Sequence, residues 1–93
     1  MVVTIVRATP GAGKIQVAAQ VNDIVEDGGT CILTATNAAA HLTVSSQAFA
    51  NSQSTVCGEL SLSSVQAGAW DVSVTYTSAR HYGVSDPMRV GVS

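Results

Sequence analysis

A two-residue hydrophobic period runs through almost all of this sequence and limits what it can fold into more than any other feature. In "KIQVAAQVN" (14–22), Ile15, Val17, Ala19 and Val21 share one face, while Lys14, Gln16, Ala18 and Gln20 share the other. In "WDVSVTYT" (70–77), Trp70, Val72, Val74 and Tyr76 oppose Asp71, Ser73, Thr75 and Thr77. "MRVGVS" (88–93) sets Met88, Val90 and Val92 against Arg89, Gly91 and Ser93, and "HLTVS" groups Leu42 with Val44. "VCGELSL" (56–62) groups Val56, Gly58, Leu60 and Leu62. Successive side chains leave a strand on opposite sides, so this alternation is what a half-buried strand requires. No window offers the three-and-four spacing of a long amphipathic helix.

Turn residues punctuate the runs at Pro10-Gly11, Asp27-Gly28-Gly29, Asn37, Asn51-Ser52, Gln66-Ala67-Gly68 and Asp86-Pro87. They leave seven strands, near 2–8, 14–22, 30–36, 40–49, 54–63, 69–77 and 82–92. Seven alternating strands in a single domain, 1–93, predict an all-β, seven-stranded antiparallel sandwich, with a closed barrel or open meander as the alternative. Apolar residues make up 46% of the chain but aromatics only 4%, so the core has to be built from Val, Ile, Leu and Ala.

A chain this short buries only about 60–65% of its unfolded surface, so its core is marginal without a further constraint. Two cysteines, Cys31 and Cys57, supply one if they are bonded. The loop closed would span 57 − 31 = 26 positions, worth about 3–4 kcal/mol in the chain-entropy model. The alternative is two reduced, unrelated thiols.

Several function classes are disfavoured early. The net charge is −2, and the only cations, Arg7, Lys14, Arg80 and Arg89, are scattered along the chain. A nucleic-acid binder needs them clustered. No apolar run approaches the roughly 20 residues of a bilayer span, so no membrane insertion is expected. "MVVTIVRAT" lacks both the length and the basic flank of a signal peptide. Either the chain is a domain of a longer secreted protein, or it is made and used without export. "TPGAGK" (9–14) imitates a phosphate-binding loop, but the first glycine of that motif falls on Ala8 and the magnesium-binding hydroxyl on Ile15. A strand pattern follows it instead of a helix, so the stretch reads as a turn.

"GGTCILTAT" (28–36), "STVCGELSLSSV" (54–65) and "GAWDVSVTYTS" (68–78) together resemble immunoglobulin-like or fibronectin-III-like domains of bacterial surface proteins. The resemblance implies a stalk, spacer or adhesion module, usually in tandem arrays and without catalytic chemistry. Antibody-type domains place a tryptophan between their cysteines, whereas Trp70 follows both here. Parity raises a second difference: Cys31 shares a face with Leu33, but Cys57 opposes Leu60 and Leu62. Either a bulge at Gly58 restores the inward direction, or the bond is a peripheral staple; the staple is the favoured reading.

Two loops hold the candidate sites. Asp23, Glu26 and Asp27 could offer oxygen ligands to calcium, although their spacing matches no EF-hand and exposed acids are usually just solvated. Arg80, His81 and Tyr82 sit at a hairpin where such folds often carry binding. His41 and His81 have no partner at metal-ligand spacing, and no Gly-x-Ser-x-Gly turn presents a nucleophile. Lys14, the only lysine, could enter a core cross-link only through a register slip. Trp70 and Tyr76 read as core rather than as a sugar platform. No enzyme and no cofactor are expected. The expected role is a structural or adhesive module, secreted or at the cell surface, whose partners are neighbouring domains of the same chain or a host or cell-surface ligand. A virion decoration or tail subunit is the first alternative, and a small carbohydrate-binding module the second. An uncovered edge strand would permit self-association.

Overall fold

The computed structural model describes residues 2–22, 24–37 and 40–92. Among them there is no helix, and nine strands form two antiparallel sheets. The strands are β1 (Val2–Gly11), β2 (Lys14–Asn22), β3 (Thr30–Thr36), β4 (His41–Gln47), β5 (Phe49–Ala50), β6 (Ser54–Ser63), β7 (Gly68–Thr77), β8 (Tyr82–Val84) and β9 (Met88–Val92). One sheet runs β1-β2-β6-β5 and the other β4-β3-β7-β8, with β9 pairing the first half of β7.

All seven expected segments carry strand, but two are divided. The segment 40–49 changes sheets at the buried Ala48: β4 pairs β3, whereas β5 pairs β6. The segment 82–92 is interrupted at 85–87. Thr75 faces Val84 and Val72 faces Met88, so the edge carries one residue more than β7 across that stretch. There Ser85 donates its N–H to the Val74 carbonyl (2.8 Å), and its hydroxyl accepts from the Val74 N–H (2.9 Å). Pro87 has no N–H to continue the ladder.

The alternation becomes burial. Ile15, Val17 and Val21 of β2, Leu33 and Ala35 of β3, and Val72, Val74 and Tyr76 of β7 are fully buried in one cluster contributed by both sheets. Val90 and Val92 join it, but Met88 stays 41% exposed at the start of β9. "TPGAGK" is the β1–β2 hairpin: Gly11 pairs Lys14 across a two-residue connection, and no helix follows.

The expected face of β6 and the staple reading of the cysteines are both overturned. Ala19 pairs Gly58 while Gln20 pairs Val56, which leaves Cys57 as the extra residue of a β-bulge. Gly58 takes φ +71°, a conformation that L side chains rarely adopt. The bulge reverses the parity of the strand, so Thr55 and Cys57 point inward with Leu60 and Leu62, and Val56 turns out. Cys31 and Cys57 are bonded and fully buried. Their bond joins β3 of one sheet to β6 of the other, inside the core.

The end of β2, the starts of β3 and β6, the end of β7 and the start of β8 lie together. Both candidate loops, 24–29 and 78–81 among the described residues, therefore belong to one end of the molecule.

Candidate functional site

The loop between β2 and β3 is held from below by Thr55, whose side chain is fully buried. Its hydroxyl donates to the Ile24 carbonyl (3.0 Å) and accepts from the Glu26 N–H (3.1 Å). Asp27 accepts from the Ala50 N–H (2.8 Å), and the Gly29 carbonyl accepts from the Ala48 N–H (2.9 Å). A four-point attachment of this kind fixes the directions of Glu26 and Asp27.

Glu26 turns inward. Its carboxylate accepts a hydrogen bond from the Tyr76 hydroxyl and lies 3.3 Å from Nδ1 of His81. The Tyr76 ring lies directly under Gly29, where a Cβ would overlap it. Gly29 therefore leaves the space through which the phenol reaches the loop. Across the sheet Tyr76 pairs Cys31, so this cluster caps the disulfide end of the core. On the hairpin side, Ser78 accepts from the N–H groups of Arg80 (3.3 Å) and His81 (3.0 Å), which sets the turn that delivers His81.

The hydrogen bond from Tyr76, followed by Ser78 and His81, holds the Glu26 carboxyl below its usual range. Burial first, and then the Glu26 carboxylate, pushes the Tyr76 phenol up to about 12. The pair thus favours one protonation state over a wide pH range: carboxylate accepting, phenol donating.

The two candidate loops therefore meet through Glu26 and His81. Asp23 lies outside the described residues, while Glu26 and Asp27 point to separate partners. Among the described residues, no three His, Cys, Asp or Glu side chains gather as a metal site. Arg80 and Tyr82 stand exposed beside the cluster, Tyr82 at 69%, and His41 lies exposed on β4. Lys14 is exposed at the start of β2. Trp70 and Tyr76 are buried, as expected of core, and Trp70 Nε1 donates to the Gln66 carbonyl (2.9 Å).

Sequence reasoning missed Tyr76 as a site residue because its alternation assigned it wholly to the core. A usable signal was present: a buried tyrosine needs a partner for its hydroxyl, and 22–29 holds three of the chain's six acids. What the assembled end can do is present Val25, Arg80 and Tyr82, all exposed, on a clamped base. That is an open, exposed surface rather than an enclosed pocket. A groove of about 230 Å³ lies elsewhere, between the start of β1 and residues 85–88. Among the described residues, no helix is long and apolar enough to cross a membrane. No family model, curated protein or solved structure matches the chain.

Proposed function

We propose that the chain is a non-catalytic structural or adhesive module of a secreted or surface-anchored bacterial protein, folded as an immunoglobulin-like sandwich. The observation that supports the exported setting of this reading is the Cys31–Cys57 bond, fully buried and joining the two sheets. Bonds of this kind persist in oxidising compartments and are rare in reducing ones. Strand order supports the fold: β1, β2, β6 and β5 take the places A, B, E and D, and β4, β3, β7 and β8 with β9 take C′, C, F and G. Counting β8 with β9 as one interrupted strand leaves eight, the seven of the constant type plus C′. The cross-link joins the C and E places rather than B and F, and Tyr76 rather than Trp70 lies against it. The partner is a neighbouring domain or a cell-surface ligand, engaged at the end carrying Val25, Arg80 and Tyr82.

The test is thiol alkylation under denaturing conditions of protein taken directly from its source, with protease treatment of the intact cells alongside. No adduct before reduction, two after it, and digestion from outside are the expected results. Two adducts without reduction would instead favour a virion decoration or tail subunit with free thiols.

A further inference from the structure

An antiparallel sheet that is not closed has edges whose free N–H and C=O groups can recruit another strand, and proteins usually obstruct them. Three of the four edges here carry an obstruction. β1 is bulged at Val6, where Ile5 pairs Ala19 and Arg7 pairs Ala18; it also carries Arg7 and ends near Pro10. β5 is two residues long. The β8 and β9 edge is broken at 85–87, with Pro87 in the break and Arg89 beyond it.

β4 has none of these features. Its seven residues pair β3 without a register shift, and they include no proline, Asp, Glu, Lys or Arg. Among the described residues no strand pairs its outer side. Its inward residues are also incompletely covered. Leu42 and Val44 pack against the core yet remain half-exposed, whereas Leu33 and Ala35 on the adjoining strand are fully buried.

We propose that the β4 edge is a strand-addition interface for a second copy of this chain, giving a closed two-fold dimer with a continuous sheet across it. A two-fold axis at Val44 sets Val44 against the partner's Val44, Thr43 against the partner's Ser45 and His41 against the partner's Gln47. The strand is thus its own complement, with no carboxylate, ammonium or guanidinium that would call for an oppositely charged partner. Obstruction of the other edges limits the assembly to two chains. A single strand pair makes a small interface of the weak, transient class, below the roughly 1,200 Å² of stable ones. The dimer is therefore weak, and a Kd on the order of 100 μM is the value the test is built around. In a tandem array, local concentrations of about 1 mM would populate it.

The experiment is sedimentation equilibrium of the oxidised chain from about 10 μM to about 1 mM, which brackets that affinity. The mass is expected to rise from 9.5 kDa toward twice that value and stop. T43K with S45K places like charges opposite one another and should abolish the rise; T43E with S45E should do the same. An equimolar mixture of the two double variants should restore dimer at least tenfold more tightly than either alone. Amide exchange on unmodified protein supplies a readout without mutation: amides within 41–47 should slow with concentration, and those of β1 and β9 should not. A wild-type chain that stays single at 1 mM, a dimer indifferent to the lysine pair, or growth past two chains would overturn the proposal.

Discussion

Trp70 and Tyr76 stand at the two ends of one face of β7, and the core closes around them in different ways. Both rings are buried and both have a polar atom to satisfy. Trp70 uses the carbonyl of Gln66, four residues back, in the loop that leads into its own strand. Tyr76 reaches Glu26, fifty residues away, and the carboxylate also engages His81. The Trp70 end is closed by a neutral, local contact. The Tyr76 end requires three chain segments, a disulfide and a charge. The second couples its closure to a disulfide and a carboxylate, and it is also the end that presents the exposed binding candidates.

Four perturbations break or sharpen that contrast. W70A should cost about 4 kcal/mol, the usual scale for emptying a buried aromatic site, and lower Tm by at least about 15 °C in a calorimetric scan. C31A with C57A should cost about 3.5 kcal/mol by the chain-entropy relation. Hydrogen exchange should report that loss most strongly in 24–29 and 78–81, leaving the Trp70 end closest to wild type. G29A should cost about 2 kcal/mol, because a methyl group would have to displace the Tyr76 ring; urea unfolding measures it, and Y76F should absorb part of the penalty. Y76F alone should cost about 1.5 kcal/mol, the low end of the scale for a hydrogen bond to a charged group.

The smallest effect is the pH response, and its two limbs have opposite origins. Glu26 is held below its usual pKa of 4.5 in the folded chain, so it binds a proton less readily there than when unfolded. Its contribution is complete above about pH 4.5 and is lost as pH falls through the folded value. The difference in Tm between wild type and E26Q should therefore shrink on acidification, while that between wild type and W70F should not. Tyr76 is raised from 10.0 to about 12 in the folded chain, so its contribution is present below pH 10 and lost on rising toward 12. In Y82F, which leaves Tyr76 as the one tyrosine, tyrosinate absorbance should appear near pH 12. Ionisation near 10 would remove the Tyr76 clasp from the account.

The alternation of β2 and β7 was legible because both strands pair on both sides without reversing their buried face after entering the core. β6 was misread because its parity changes at the bulge, and a period of two cannot register one inserted residue. Gly58 marked the place but not the outcome. The division of 40–49 was hidden for a related reason: the alternation of a strand is the same whichever sheet it joins. Of the site, the two loops were legible as clusters of turn and charged residues. Their meeting was not, since it depends on β2, β3, β7 and β8 ending together, which is a property of strand order.

By itself the sequence determined that this chain is all-β, where its strand-bearing segments lie to within a few residues, and which residues of β2 and β7 form the core. Those are consequences of local periodicity and turn chemistry. Tertiary structure alone decided that Cys57 faces the core, that Tyr76 and His81 converge on Glu26, and that β4 is the edge left without an obstruction. Each depends on register between strands distant in sequence, where one bulged residue exchanges inside for outside and no short-range pattern records the exchange.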